Sequence, residues 1–229
     1  MSQSVLAQGI SIEIGGDGSS FTAASLQLIA LITVLSLVPA LAVMITCFPF
    51  IVTVLSILRQ GIGLQQAPPN MLIVTLALFL TYFVMDPVFQ EVWATAIQPL
   101  TEQRLELGDA ITRALVPFRI FMADRVAADT LETLAALRPA SAEYETLPQA
   151  PLSLLVPSFL LSELERAFQI GFLIFLPFLI IDLVVAAVLM SMGMMMVPPA
   201  MVSLPFKLAF FVVADGWSLI SSALVRSYF

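Results

Sequence analysis

The chain has 229 residues, of which 60% are hydrophobic and 11% charged, whereas soluble domains run at roughly half apolar and a quarter charged; a water-soluble globule is excluded. The formal charge is −7 and the nine basic residues are scattered singly, so there is no electrostatic footprint for nucleic acid. Histidine is absent and Cys47 is the only cysteine, which excludes intrachain disulfides, thiolate zinc clusters, His-ligated metals and imidazole acid–base catalysis.

Residues 1–20 form an N-terminal segment with Glu13 and Asp17 but neither Lys nor Arg. The basic n-region of a secretory signal is therefore missing, and either the first apolar span serves as the signal or a leader lies outside the numbered chain. No charge occurs between Asp17 and Arg59, nor between Arg59 and Asp86. The apolar run over 21–58 far exceeds the roughly 20 residues that cross a bilayer core, so it must tilt, kink or extend beyond the membrane. Pro39 and Pro49 are the expected breaks. Residues 60–70, with Gly61, Gly63, Pro68 and Pro69, have turn chemistry, and the apolar run resumes over 71–85. Residues 21–90 thus read as a first hydrophobic helical hairpin.

Over 91–166 the character changes, because eleven acidic and six basic residues lie there. This solvated insertion has Ile111, Leu115, Phe118 and Met122 at helical spacing, then Leu131, Leu134 and Leu137, with Pro117 and Pro139 as expected boundaries. It reads as a small helical subdomain over 91–161, ending in a proline-rich connector over 143–157. Ser162 and Glu165 have the spacing of a capping box. A second hydrophobic hairpin over 162–229 follows, interrupted by Asp182, Lys207 and Asp215 and divided by Pro198, Pro199 and Pro205. The fold class expected is all-α and membrane-associated: two proline-broken helical hairpins flanking a small helical extracytoplasmic subdomain. Arg59 and Lys207 lie nearest the two tight connections while the insertion is acidic, so the positive-inside rule puts both connections in the cytoplasm.

The most unusual segment is Met190-Ser191-Met192-Gly193-Met194-Met195-Met196, followed by Val197-Pro198-Pro199 and Met201. Methionine is unbranched and polarizable, so a cluster of it packs against changing shapes without one fixed rotamer. Two readings stand side by side: lipid-facing or core side chains at a helix end, and a surface that seals and then deforms. A thioether copper site is a third, unsupported by any nearby His or Cys. Gly193 and the double proline place the cluster on non-helical backbone, which in a membrane must be buried in protein or line an aqueous cavity. Arg59, Asp86, Asp182, Lys207 and Asp215 are the charges in or beside the apolar blocks, where they must pair, snorkel or face water. Asp182, deep in its run, is read as a structural partner of Lys207, with a proton relay as the alternative. If the two pair, reversing both charges together is expected to restore assembly.

Several segments together resemble the FliP family of type III secretion export gates. They are Val54-Leu55-Ser56-Ile57-Leu58-Arg59-Gln60, then Gly63, Gln65-Gln66 and Pro68-Pro69-Asn70; Ser162-Glu163-Leu164; and Ala167-Phe168-Gln169-Ile170-Gly171-Phe172 with Pro177-Phe178 and Ile181-Asp182. Met192-Gly193-Met194-Met195-Met196, Ser203-Leu204-Pro205-Phe206-Lys207-Leu208 and Asp215-Gly216-Trp217 continue the likeness. In the insertion only Pro117-Phe118-Arg119 with Phe121-Met122 matches. Injectisome members share much of this, while Pro198-Pro199-Ala200-Met201 and the stretch 65–70 look more flagellar.

The resemblance implies a core channel subunit of the flagellar gate in the bacterial inner membrane, at the basal body. It implies a homo-oligomer with FliQ-like and FliR-like companions, contacts with other export components and with lipid, and unfolded proteins as cargo. Met192, Met194, Met195 and Met196 are implied as a gasket around the channel, and Arg59, Asp182, Lys207 and Asp215 are expected as structural or assembly charges. No catalytic residue, metal or cofactor is expected, and no Gly-rich phosphate loop occurs. The alternative from another class is a small proton-coupled transporter using Asp182. For the orientation, a reporter active only in the cytoplasm and fused at Ala136 is expected to stay silent; activity there overturns the assignment.

Overall fold

A computed structural model describes residues 18–64, 68–137, 144, 146–194 and 196–229. All regular structure among these residues is helical. The elements are α1 (Gly18–Met44), α2 (Phe48–Ile62), α3 (Asn70–Val92), α4 (Gln98–Thr101), α5 (Leu107–Ala123), α6 (Ala128–Leu137), α7 (Leu152–Ser191), α8 (Pro199–Val213) and α9 (Gly216–Arg226). A π-helical turn, Trp93–Ile97, joins α3 to α4, so that one 32-residue helix runs from Asn70 to Thr101. This helix and the 40-residue α7 are long and apolar enough to cross a membrane. The pair α8 and α9, bent by 61°, meets the same test when taken together.

The chain divides into two units, residues 1–42 and 43–229. The first holds most of α1, a 27-residue helix without a charged side chain. Two of its hydroxyls turn inward on their own backbone: Thr33 Oγ1 donates to the Ile29 carbonyl at 2.7 Å and Ser36 Oγ to the Thr33 carbonyl at 2.8 Å. That is how polar groups are satisfied where water is scarce.

In the second unit α2 is the centre. Phe50, Ile51, Val54, Leu55 and Leu58 are fully buried and recur at helical spacing, so one broad face is committed to the core. Ile73, Ala77, Val84 and Met85 from α3 and Ala167 and Phe178 from α7 pack onto it, with Phe211, Ile220 and Leu224 completing the cluster from α8 and α9. Small residues let α2 and α7 approach: a Cβ on Gly171 would stand 2.4 Å from Ile57 Cδ1, and one on Gly61 would stand 3.0 Å from the Phe178 ring. A smaller cluster of Met122, Ala150, Leu155 and Phe159 seats the end of α5 on the start of α7. Arg119 fastens it, donating from Nη1 to the carbonyls of Pro148 at 3.0 Å and Ala150 at 2.8 Å.

Only some of the prolines mark the breaks expected of them: Pro69 and Pro198 precede α3 and α8. The long first run does break beside Pro49, which starts α2 after a turn at Thr46 and Cys47, yet Pro39 lies within α1. Pro87, Pro117, Pro157, Pro177 and Pro205 all sit inside continuous helices. Proline removes one backbone donor and crowds the preceding turn, but in long apolar helices neighbouring packing and local adjustment absorb that cost. Pro117, expected as a boundary, is therefore buried mid-helix, and Pro139 lies outside the described residues.

Ser162, expected as a cap, lies in the middle of α7. Its hydroxyl donates to the Ser158 carbonyl at 2.8 Å and accepts from the Ala127 amide at 2.9 Å. The boundary drawn after residue 161 falls inside α7, and the one after residue 90 falls inside α3. Replacing Gly171 by Leu is expected to force α2 and α7 apart and to lower stability by about 1–3 kcal/mol, the usual range for overpacking. Gly171→Ala is expected to cost less, because the Ile57 terminal methyl can rotate away. Thermal unfolding of the detergent-solubilised chain measures both.

Candidate functional site

The methionine segment joins α7 to α8. α7 ends at Ser191, Gly193 takes the left-handed conformation at φ +74°, and Pro199 opens α8. Left-handed backbone costs glycine least, which is why the helix stops here rather than at either interior proline. Met190, Met192, Met194 and Met196 are all exposed; Met195 lies outside the described residues. Below the loop, α7 and α8 enclose an entirely apolar groove of about 630 Å³, lined by Val184, Val188, Leu189, Met192, Met194, Val202 and Phe206 among others.

The groove ends where the expected charge pair lies. Lys207 Nζ is 2.6 Å from Asp182 Oδ2 and donates to the Gly61 carbonyl at 3.2 Å. Ser203, one turn before Lys207 on α8, donates to Asp182 Oδ1 at 2.6 Å. Both carboxylate oxygens of Asp182 are thus engaged. The Lys207 side chain is 6% exposed and that of Asp182 is 33% exposed, so the ammonium is the buried member. Gly61 lies in the last turn of α2, which ends at Gly63 with φ +86°, and a cation near a helix C-terminus is favoured by its unpaired carbonyls. α2, α7 and α8 meet at this one ammonium.

The other expected charges have separate tasks. Arg59 bonds the Asn70 side chain and lies 3.5 Å from the Pro68 carbonyl, closing the connection from α2 to α3. Asp86 accepts from Gln90 on its own helix. Asp215 is exposed and left-handed, φ +48°, at the bend between α8 and α9. The glycine after it is required by contact: a Cβ on Gly216 would lie 2.2 Å from the Phe211 ring, which packs edge-on against Trp217. The Asp215-Gly216-Trp217 signature is therefore a corner.

Sequence reasoning missed a second charge cluster. Glu163, fully buried in α7, accepts from Arg125 Nε at 2.9 Å and from the Tyr228 hydroxyl, with Arg166 3.6 Å away. Arg125 also donates to the Ser227 carbonyl at 2.8 Å and lies 4.0 Å above the Tyr228 ring. Burial, and then the neighbouring carboxylate, push the Tyr228 phenol above its ordinary range, so it remains a donor. The only sequence signal was a glutamate at the mouth of a long apolar run. Its partners lie 38 and 65 residues away, and no local pattern points to them.

Among the described residues no group of three His, Cys, Asp or Glu side chains could hold a metal ion. The FliP family matches residues 31–224. Over 213 residues the chain is 50% identical to the flagellar biosynthetic protein FliP of Caulobacter vibrioides, covering 93% of this chain and 80% of that one. It is 46% identical to the protein of that name from Bacillus subtilis, over 89% of this chain and 92% of the relative. The protein of the same name from Pectobacterium carotovorum is 46% identical, over 100% and 89% respectively.

The buried ammonium makes the Asp182–Lys207 pair asymmetric. Asp182→Asn leaves a cation uncompensated in the core and is expected to cost on the order of 2–3 kcal/mol, below the range for fully buried pairs because the carboxylate is partly solvated. Lys207→Met, which leaves a carboxylate still bonded to Ser203, is expected to cost less. The double charge reversal is expected to rescue poorly, contrary to the expectation from sequence, because it sets a carboxylate against the Gly61 carbonyl. Melting temperatures of the purified variants decide the order.

Proposed function

The chain belongs to the FliP family, and from that membership we propose that it is a channel-forming subunit of the flagellar type III export gate in the bacterial inner membrane. It works as a homo-oligomer with FliQ-like and FliR-like companions and other export components. Its cargo is unfolded flagellar protein, and its task is conduction and sealing rather than catalysis. The flagellar names of its relatives favour this over the equivalent injectisome role.

One observation carries the reading: a methionine-bearing loop, held on irregular backbone, stands exposed at the tip of a hairpin whose outer faces are also apolar. Phe168, Phe172, Leu183 and Val184 on α7 and Met71, Phe79 and Phe83 on α3 are exposed in the single chain. Burying each such side chain is worth about 1.5–3 kcal/mol, so this surface calls for lipid or other subunits. Contributed by several protomers, the loops form a ring of long flexible thioethers. Such a ring excludes water and ions at rest, because closing it leaves no polar group to solvate them, and it yields to a passing chain because each methionine has several rotamers of similar energy.

The opposing reading, a proton relay through Asp182, is weakened by the engagement of both its oxygens. Deleting residues 194–196 in the assembled complex separates the two. A gate leaks ions while the Asp182 clamp stays intact; a transporter stays tight after the deletion and loses coupled uptake in Asp182→Asn. Membrane-potential dyes in cells carrying each variant report the difference.

A further inference from the structure

We propose that Met194 is a positioning residue rather than a sealing one: with Gly193 and Leu189 it anchors the loop to its own hairpin, so that Met196 stands clear of it. This rests on the gate reading above and divides labour within the same loop.

α7 ends in a paired cap. The Gly193 amide donates to the Met190 carbonyl at 3.1 Å and the Met194 amide to the Leu189 carbonyl at 3.0 Å. These two bonds define the Schellman motif, which needs a left-handed residue between helix and exit and brings together the side chains just outside and just inside the helix end. Gly193 is that residue, at φ +74°, and the paired side chains are Met194 and Leu189. Both line the apolar groove, and Leu189 is only 8% exposed.

Exposure sorts the loop accordingly: Met194 is 42% exposed, against 61% for Met190, 66% for Met192 and 98% for Met196. Met192 also borders the groove, but Met194 is the less exposed of the two and is the one tied to Leu189 through the helix cap. Among the described methionines of the loop, Met196 is the freest to reach a neighbouring protomer. Among the described residues nothing lies within 4 Å of where a Gly193 Cβ would sit, so the demand for glycine there is conformational and not steric. Alanine adds strain without a clash, and asparagine, which visits the left-handed region more readily, relieves it.

The test uses the full chain expressed with its companion subunits in cells lacking their own copy. Ion leak and secreted substrate are both normalised to the assembled complex on native gels. Gly193→Ala is expected to raise the leak several-fold and Gly193→Asn to return it close to the parent. Met194→Ala and Leu189→Ala should leak alike, and the double variant no more than either alone, because they break one contact. Met196→Ala should add to Met194→Ala.

The inference is overturned if Gly193→Asn leaks as much as Gly193→Ala, or if the Met194 and Leu189 effects add. It is also overturned if Gly193→Ala abolishes assembly, which makes the cap a folding element, or if Met196→Ala alone leaks while the other variants stay tight. Tight membranes in every variant, Met196→Ala included, reject the gate reading itself.

Discussion

The Lys207 ammonium is buried at the point where three helices converge, and the geometry of the rest follows from keeping it satisfied. Its carboxylate partner comes from α7, its carbonyl partner from the last turn of α2, and the lysine itself from α8. A charge out of water is tolerated only when its donors are occupied, so none of the three helices can slide without exposing it. The close approach of Gly61 and Gly171 to α7 and α2 side chains brings the backbone near enough for the carbonyl to serve.

Glu163 repeats the device near the other end of α7. It gathers Arg125 from the turn after α5 and Tyr228 from the end of the chain, nineteen residues before Asp182 and therefore about 28 Å along the axis at the helical rise. α7 is a beam pinned by a buried charge at two places, with Ala167 and Gly171 laid against α2 between them. Beyond Asp182 the hairpin meets itself across an apolar groove. Buried charges pin the body, whereas beyond the cap of α7 side-chain contacts at the tip are apolar and free to change shape.

Much of the fold was legible. Uninterrupted apolar runs marked the long helices, because they reflect the medium each residue faces. The one residue set recognised in the insertion, 117–119 with 121 and 122, turned out to be what fastens it: Arg119 ties down the turn before α7, and Met122 anchors the small core. Prolines were a divided signal: Pro49, Pro69 and Pro198 do stand at helix starts, whereas Pro39, Pro117 and Pro205 lie inside helices. Helix ends are set instead by Gly63 and Gly193 in left-handed backbone, and a proline inside a well-packed apolar helix is a local defect that its neighbours absorb.

The amino-acid sequence by itself determined the solvent, the helical class and the methionine loop, and it favoured a Lys207 partner for Asp182 over a relay, since these follow from composition, periodicity and the cost of an unpaired charge. Tertiary structure alone decided that Gly61 shares the ammonium, that Glu163 is a hub for Arg125 and Tyr228, and that Gly216 must clear Phe211. Each of these depends on groups far apart in the chain arriving within a few ångströms, and short-range pattern carries no information about such meetings.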